Sequence, residues 1–535
     1  MTQTDEERLT SALRRPETFG LVGDSDVGFI ETHISRIFLA GDHAYKLKRR
    51  IDLSYVDFSS VEKRLAACQN ELALNRRTAP ELYLGLMPIF AEGDGFVLGE
   101  LDEEGAGTGA TDAVDWLVVM RAFDDSGLLA NRAERGELTA AEIEPLAERV
   151  ADFHATAAIR PKAAGAVAFD AVISEMNEEL SASGVVAERS AIDRLTAAQH
   201  AALEECRALV DRRRAAGFVR RCHGDLHLNN IVWMEDRPVL FDCIEFNDAF
   251  AEIDMAYDLA FLLMDLAFRA EVAPALDGLA NLALTVWLDH QPQVLIGAAY
   301  EGLQALPLML SLRAGIRAHV LGRAARSALD RGEGADETVA RAKAYFGFAE
   351  QALKAPEPYL VAVGGLSGSG KSTLARNLRP RLGGTLGAIH LRTDIIRKRL
   401  LGVALNAPLG PQGYTPEITQ HTYRLLGHFA RLALKAGFPV IVDGVMARHE
   451  ERDALADLAR EARVDFKGIW LDVPKETALA RAKQRQAEAQ DPSDAGPEIV
   501  ERQFGYDLGR IAWKRVEAGG TREEAFEAAC KELGV

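Results

Sequence analysis

The sequence has little of what marks secreted, disulfide-bonded or membrane proteins. It contains 5 cysteines among 535 residues. Because they are scattered and lack the spacing of a zinc site, we expect reduced thiols that are buried as small apolar side chains. No uninterrupted apolar run is long enough to span a bilayer, and the charged N-terminus lacks the apolar core of a signal peptide. These absences predict a soluble, cytoplasmic protein.

Basic charge is also in short supply. The chain has 62 Lys and Arg against 80 Asp and Glu, for a net charge of -18. This balance disfavours a long groove that follows nucleic-acid phosphates, although it is compatible with a single basic pocket. We therefore expect small-molecule partners rather than nucleic acid or a membrane, and the oligomeric state stays open.

The length of the chain predicts more than one hydrophobic core. Residues 20–122 hold short β-like runs around a helical run at 60–77, and residues 137–352 read mainly as helix. A β-hairpin at 230–242, with a turn at 235–237, interrupts these helices. Pro356 and Pro358 cannot continue a helix, so a linker is predicted at 354–358.

After this linker, apolar runs alternate with helical segments. That alternation predicts a parallel sheet with helices on both faces. The predicted strands of this part lie at 359–363, 388–391, 439–442 and 468–471.

The strongest motif is GLSGSGKS at 365–372, which fits G-x-x-x-x-G-K-[ST] between a predicted strand and a predicted helix at 373–382. Glycines let backbone N–H groups converge on phosphate oxygens. Lys371 adds a full positive charge for catalysis near the β and γ phosphates, and Ser372 is expected to bind Mg²⁺. The predicted nucleotide-binding residues are Gly365, Gly368, Ser369, Gly370, Lys371, Ser372 and Thr373.

An Asp and an Arg that follow the second predicted strand of this part indicate which class of P-loop protein this is. Asp394 and Arg397 form an Asp-x-x-Arg element that resembles the one in polynucleotide kinases and related small P-loop kinases. The resemblance implies that Asp394 is the general base for the attacking hydroxyl and that Arg397 holds an anionic part of the acceptor. Alternatively, Asp394 caps the helix predicted at 395–401.

Two further elements fit the same class of enzyme. Asp443 ends an apolar strand at the Walker B position, where it is a candidate Mg²⁺ ligand, directly or through water, or a structural carboxylate. Arg481 and Arg485 lie four residues apart on one face of a predicted helix. Small P-loop kinases carry here a mobile lid whose arginines stabilise the transferring phosphoryl group; the alternative is a solvated helix face.

A second candidate catalytic motif is HGDLHLNN, at residues 223–230. Asp225 and Asn230 have the D-x-x-x-x-N spacing of a kinase catalytic loop, with Asp225 as the base and Asn230 as a metal ligand. Asp242, at the end of the predicted hairpin, supplies the second carboxylate for Mg²⁺. The His-Gly-Asp start resembles aminoglycoside phosphotransferases and choline-kinase-like enzymes, and we interpret His223 and His227 as structural.

Upstream, Lys46 resembles the third-strand lysine of kinases. The resemblance implies that it pairs the α and β phosphates and a helix carboxylate, for which Glu71 is the best candidate. Lys48 shares the same strand face and is an alternative. No G-x-G-x-x-G loop is present. Four acidic residues have two interpretations: they face a cationic acceptor, or they cap and tether helices. They are Asp248, Glu252, Asp254 and Asp258.

The two parts in this order resemble bacterial proteins described as bifunctional aminoglycoside-phosphotransferase-like and P-loop ATP-binding proteins. The resemblance runs from about Phe19 to the C-terminal helix. It implies an α+β protein-kinase-like bilobal domain followed by an α/β P-loop NTPase domain with a parallel sheet. ATP and Mg²⁺ are the implied cofactors. The boundaries we predict are 19–122 for the N-lobe, 123–353 for the helical C-lobe, 354–358 for the linker and 359–535 for the P-loop domain.

The function that follows from these patterns is phosphoryl transfer from ATP to hydroxyls of small molecules at two sites. An alternative is a regulatory protein in which one module senses ATP and controls the other. The resemblance does not identify an acceptor, because enzymes that share a fold act on different substrates and a family name reports only the fold.

Overall fold

The computed structural model describes residues 3–22, 26–53, 56–107, 110–354, 356–405, 407–488 and 496–535, without the side chains of 3–5, 411 and 485–488. Ala355 of the predicted linker lies outside these residues. The helices are α1 (Gln3–Leu13), α2 (Val61–Asn75), α3 (Leu129–Glu134), α4 (Ala140–Thr156), α5 (Ala166–Ser183), α6 (Arg189–Ala215), α7 (Asp248–Ala251), α8 (Met255–Ala270), α9 (Leu279–Asp289), α10 (Ile296–Gly302), α11 (Leu306–Asp330), α12 (Asp336–Ala352), α13 (Lys371–Leu378), α14 (Thr393–Leu400), α15 (Pro416–Lys435), α16 (His449–Ala462), α17 (Lys475–Glu488), α18 (Pro497–Gln503) and α19 (Arg522–Leu533).

The strands fall into two groups along the chain, one before and one after the predicted linker. They are β1 (Gly28–Glu31), β2 (Ser35–Ala40), β3 (His43–Lys48), β4 (Asp52–Leu53), β5 (Val56–Asp57), β6 (Tyr83–Glu92), β7 (Gly95–Leu98), β8 (Asp115–Arg121), β9 (Val219–Arg221), β10 (Ile231–Met234), β11 (Arg237–Leu240), β12 (Glu252–Asp254), β13 (Tyr359–Gly364), β14 (Ile389–Arg392), β15 (Val440–Gly444), β16 (Asp465–Asp472) and β17 (Lys514–Glu517).

The chain forms two compact units. Unit 1 comprises Met1–Ala164 with Arg214–Leu262, and unit 2 comprises Gly165–Arg213 with Leu263–Val535. Helices α9 to α12, which precede the predicted linker, therefore belong to the same unit as the P-loop. The domain boundaries read from the sequence stay a prediction.

Unit 1 contains an antiparallel sheet in the order β1-β2-β3-β8-β6-β7. Side chains alternate between the faces of a strand. Tyr45 and Leu47 of β3 therefore pack into an apolar cluster with Phe38, whereas Lys46 between them belongs to the other face. Helix α2 begins at its N-cap Ser60, whose hydroxyl accepts a hydrogen bond from the Lys63 N–H.

The predicted hairpin is present, with a shorter turn than expected. Ile231 pairs with Leu240 and Met234 with Arg237, which leaves only Glu235 and Asp236 in the turn. These two residues have φ angles of 49° and 60°, the left-handed values that a two-residue hairpin turn requires. Asp242 follows β11 directly and is itself left-handed, with φ 61°.

Unit 2 contains a parallel sheet in the order β14-β15-β13-β16-β17, which confirms the predicted α/β architecture of this part. Val361 and Val363 of the central strand β13 pack against α13 and α19. Helix α13 begins at Lys371 and ends at Leu378, earlier than predicted, because Pro380 cannot continue it and the chain passes into a 3₁₀ turn.

None of the described helices has the length and apolar character that crossing a membrane would require. The cysteines match their predicted state as free, mostly buried thiols, with Cys530 half-buried.

Candidate active sites

The loop from Gly365 to Gly370 connects the central strand β13 to α13. Gly365, Gly368 and Gly370 have φ angles of 148°, 83° and 92°, which lie in the region that favours glycine. A Cβ on Gly368 would lie 2.5 Å from the Ala478 carbonyl oxygen, so this position has no room for a side chain. The glycines thus let the loop close tightly over the start of α13, where N–H groups without a helical partner favour an anion.

Two side chains around this loop suit a bound phosphate, and a third holds the backbone of the loop. The Ser369 hydroxyl is buried and has no hydrogen-bond partner among the described residues. It can therefore donate a hydrogen bond to a bound ligand. Lys371 Nζ donates to the Leu366 carbonyl oxygen at 3.0 Å, within the loop. Gln503 Oε1 accepts from the Ser367 N–H at 2.8 Å and braces the loop from α18. The loop opens on a cleft of about 470 Å³ that Lys371, Ser372 and Thr373 line.

Asp443 lies in β15, next to the P-loop strand, and is buried. Its Oδ1 accepts from the Ser372 hydroxyl at 3.1 Å, and its Oδ2 lies 2.6 Å from His390 Nε2. Burial opposes ionisation of Asp443, but the hydrogen bond from His390 and the nearby cations lower its pKa overall. Two adjacent oxygens, one of them an ionised carboxylate, fit Mg²⁺, so Ser372 and Asp443 would hold the metal together.

Asp394 and Arg397 both line this cleft. The N-cap of α14 is Arg392, so Asp394 lies inside the first turn and the alternative role as N-cap is wrong. No described residue donates a hydrogen bond to the Asp394 carboxylate, which is half-buried. Arg397 Nη1 donates to the Gly413 carbonyl oxygen at 3.0 Å and to Thr419 Oγ1 at 3.1 Å, while its buried Nε has no hydrogen-bond partner among the described residues.

Of the two predicted lid arginines, only Arg481 can be placed, and it is not at this cleft. Arg481 donates to the carbonyl oxygens of Ala518 at 2.8 Å and Gly520 at 3.0 Å, after β17, and does not line the cleft. The side chain of Arg485 lies outside the described residues. The cleft is instead lined by Arg448 and Arg502, which sequence reasoning missed. The P-x-x-x-x-R-Q spacing from Pro497 was too weak a signal to find Arg502 and Gln503.

The lysine of unit 1 is where the resemblance implied. Lys46 Nζ lies 2.7 Å from Glu71 Oε1 and 2.6 Å from Asp242 Oδ1. Burial would lower the pKa of Lys46, but Asp242 and Glu71 raise it well above its usual value. The structure thus brings together three predicted residues from β3, α2 and the segment after β11.

Lys48 shares Glu71 with Lys46 and differs from it in its second partner. Its Nζ lies 2.5 Å from Glu71 Oε2 and also contacts Glu245. Burial alone would raise the pKa of Glu71, but Lys46 and Lys48 hold it at about 2. Glu71 is therefore ionised and shared between two buried lysines, with Oε1 hydrogen-bonded to Lys46 and Oε2 paired by charge with Lys48.

In the predicted catalytic loop, Asn230 bonds directly to Asp225. Asn230 Nδ2 donates to Asp225 Oδ2 and to the Asp225 carbonyl oxygen, each at 2.9 Å. His227 Nε2 lies 3.3 Å from Asp225 Oδ2, so this histidine helps to hold the carboxylate. His223 Nε2 lies 2.9 Å from the Phe241 carbonyl oxygen, which agrees with a structural role.

The acidic set around α7 and α8 has structural partners, in agreement with the tethering alternative. Asp258 accepts the N–H groups of His223 at 3.0 Å and Gly224 at 2.8 Å, so it holds the backbone that precedes Asp225. Asp248 pairs with Arg221 and Glu252 pairs with Arg160. Asp254 accepts a hydrogen bond from the Ala256 N–H.

Two family models match the chain. Residues 86–292 match the phosphotransferase enzyme family, and residues 360–505 match an AAA domain. An uncharacterized protein of Mycobacterium tuberculosis is 28% identical over 520 residues, which are 93% of this chain and 94% of that relative. An adenylyl-sulfate kinase of Myxococcus xanthus is 33% identical over 123 residues, 23% of this chain and 62% of that relative.

Solved structures similar to each part include two kinases. A gluconokinase from Sinorhizobium meliloti is 21% identical, with a TM-score of 0.25, over 33% of this chain and 93% of its own. A choline kinase from Cryptosporidium parvum is 12% identical, with a TM-score of 0.38, over 65% of this chain and 95% of its own. The families of the two matching models include kinases that use ATP with Mg²⁺. These matches indicate a kinase-type enzyme, with a part similar to the phosphotransferase enzyme family before a part similar to P-loop kinases.

Proposed function

We propose that the chain is an ATP-dependent phosphotransferase with two nucleotide sites, each of which transfers the γ-phosphate to a hydroxyl of a small molecule. The observation that carries this proposal is that each site has a lysine, oxygen ligands for Mg²⁺ and a separate carboxylate for the acceptor proton. In the P-loop site these are Lys371, Ser372 with Asp443, and Asp394. In the kinase-like site they are Lys46, Asp242 with Asn230, and Asp225. A cytoplasmic location belongs to the same proposal.

In the P-loop site, Asp394 takes the proton of the acceptor hydroxyl. Its carboxylate lines the cleft without a hydrogen-bond donor from the described residues, so it is available as a base. The acceptor oxygen bonds to the γ-phosphorus while the bond to the ADP oxygen breaks. Lys371 and the loop N–H groups stabilise the negative charge of the phosphates, and Mg²⁺ supplies further neutralisation when bound.

We propose that the acceptor of the P-loop site is an anion. Among the described residues, three arginines line this cleft, namely Arg397, Arg448 and Arg502, and guanidinium groups suit phosphate and sulfate oxygens. Adenylyl-sulfate kinases are among the relatives of this part, at 33% and 36% identity over 123 and 118 residues. Adenylyl sulfate is therefore the first acceptor to test.

In the kinase-like site, the ion pair between Lys46 and Asp242 occupies both groups. Phosphoryl transfer there requires Lys46 to exchange Asp242 for phosphate while it keeps Glu71. The same pair favours a second candidate function, in which this module binds ATP and controls the P-loop site without turning ATP over.

The test follows the label of γ-labelled ATP in a fractionated small-molecule extract, and in parallel with adenylyl sulfate as the only acceptor. Label in two classes of organic product supports two kinase sites. Label in products of the P-loop site alone, with ATP retained by unit 1, supports the nucleotide-sensing function. If label never leaves ATP for an organic acceptor, the phosphotransferase proposal is wrong.

A further inference from the structure

Helix α9 contacts the backbone just before β14, the strand that leads into α14 with Asp394 and Arg397. Asn281 on α9 is buried, and its Nδ2 donates to the carbonyl oxygens of Leu386 at 2.6 Å and Ala388 at 2.8 Å. Both carbonyls lie just before β14, which continues directly into α14. A residue from before the predicted linker thus holds the backbone that leads to Asp394.

A second contact runs in the opposite direction, from α14 back to the end of α9. Arg399 is buried, and its guanidinium donates to the carbonyl oxygens of Gln291 at 3.0 Å and Leu288 at 3.2 Å. Carbonyls in the last turn of a helix lack helical partners and carry partial negative charge. Arg399 therefore satisfies the C-terminus of α9 with a buried cation.

Charge and aromatic packing reinforce this junction. Asp289, at the end of α9, interacts electrostatically with Arg399, Arg392 and Arg379. Tyr300 of α10 stacks on Phe429 of α15, with ring centroids 4.5 Å apart and planes at 14°. The helices before the linker therefore hold the P-loop part at several independent points.

The geometry of α14 connects this junction to the chemistry. The helix has 8 residues and carries Asp394, Arg397 and Arg399. Asp394 and Arg399 are five residues apart, a distance of about 7.5 Å along the axis. Within so short and stiff an element, the position of Arg399 determines the positions of Asp394 and Arg397. At the N-terminal end of α14, Arg392 Nε lies 3.9 Å from Asp443 Oδ2.

We propose that Asn281 and Arg399 are positioning residues of the P-loop site. By holding β14 and α14 against α9, they place Asp394 and Arg397 toward the acceptor. The P-loop site is therefore supported by helix α9, which precedes the predicted linker. The roles of Asp394 and Arg397 rest on the proposed function, whereas the dependence of α14 on α9 does not.

The first test is hydrogen–deuterium exchange on the full chain. In Arg399→Ala, we expect amides of residues 393–400 to exchange about 10-fold faster, because buried carbonyls lose a charged donor, while peptides of α13 keep their rates. Arg399→Lys should restore part of the protection. The control is Arg431→Ala, which removes an exposed ion pair with Glu461 on α15. If Arg399→Ala does not fold, Asn281→Ala serves for the same comparison.

Unchanged exchange in 393–400 would overturn the proposal, and so would equally faster exchange in every peptide of unit 2, which indicates a general structural role. Kinetics add a second readout with adenylyl sulfate as the probe. We expect Arg399→Ala to raise the KM for this acceptor about 10-fold, with the KM for ATP within about twofold. If the wild type transfers no phosphate to adenylyl sulfate, the proposed acceptor fails while the exchange result still decides the positioning proposal.

Discussion

The two sites use the same kinds of residue but hold their lysines in opposite ways. Lys46 of unit 1 is buried between two carboxylates, Glu71 and Asp242. Lys371 of unit 2 lines an open cleft and donates to a carbonyl oxygen of its own loop. The kinase-like site therefore holds its lysine by direct contact with two carboxylates, whereas Lys371 bonds within its own loop and acts on Asp443 by charge, lowering the pKa of that carboxyl.

This contrast follows from how far apart the partners are in the chain. Lys46 and Asp242 are separated by 196 residues, whereas Lys371 and Leu366 are separated by 5. A site assembled across long separations needs charges that hold its parts together, while a loop closed by glycines forms locally. We therefore expect substitutions in the Lys46 and Glu71 ion-pair network to affect mainly stability, and substitutions in the P-loop to affect mainly turnover.

The largest effects should come from removing one group that is specific to each site. Asp225→Asn should reduce phosphoryl transfer at the kinase-like site by about 10²–10⁴-fold, because its base is lost. Lys371→Ala should reduce transfer at the P-loop site by at least about 10²-fold, because charge stabilisation is lost. Transfer of γ-label to separate products measures both. Loss of both activities in either variant would show that the sites are not independent.

The next largest effect concerns stability. Glu71→Gln should destabilise unit 1 by about 3–5 kcal/mol, because it leaves two buried lysines without their shared carboxylate. Denaturant unfolding, followed separately for each unit, measures the loss. Asp57→Asn is the matched control, since its ion pair with Lys63 is exposed and should contribute little. Equal effects of the two substitutions would contradict the account of Glu71 as the centre of this site.

The two units should lose stability at different pH values as the solution is acidified. In unit 1, Lys46 and Lys48 hold the pKa of Glu71 at about 2 against its usual 4.5. Its stabilising contribution is therefore complete above pH 4.5 and is lost as the pH falls toward 2. In unit 2, burial and Arg323 lower the pKa of His319 from 6.5 to about 4, so its contribution is complete above pH 6.5 and is lost toward pH 4.

Unit 2 should therefore begin to lose stability at a higher pH than unit 1. Thermal unfolding from pH 8 to pH 4, with a probe in each unit, checks the order. His319→Gln should reduce the pH dependence of unit 2 between 6.5 and 4, and His390, whose pKa burial also lowers to about 4, should supply the remainder. If that variant keeps the full dependence, His319 is not its source.

The smallest effect sharpens the assignment within the P-loop site. Arg502 lines the cleft, whereas Arg481 bonds to the carbonyl oxygens of Ala518 and Gly520. Arg502→Ala should lower transfer about 10-fold, since it removes one charge near the reacting groups. Arg481→Ala should leave the rate of the remaining folded protein within about twofold. The reverse result would restore Arg481 as the lid residue that the sequence predicts.

The sequence by itself determined the local chemistry of this protein. The P-loop, the Asp225–Asn230 loop, the hairpin and the parallel sheet were predictable because each depends on short-range spacing and on the periodicity of apolar residues. The resemblance to kinases supplied Lys46, Glu71 and Asp394 by matching positions. The alternative with Lys48 stayed open, because two lysines on one strand face are equivalent until their partners are known.

Only the tertiary structure decided which distant groups meet. It assigned Lys48 to Glu71 and Glu245, brought Arg502 and Gln503 to the P-loop cleft, and showed the bonds from Arg481 to carbonyls elsewhere. It also joined Asn281 to Leu386 and Arg399 to Gln291, each across more than 100 residues of chain. Spacing along a sequence reports what one helix or strand presents, but contacts between elements depend on how their faces pack, and no local pattern encodes that.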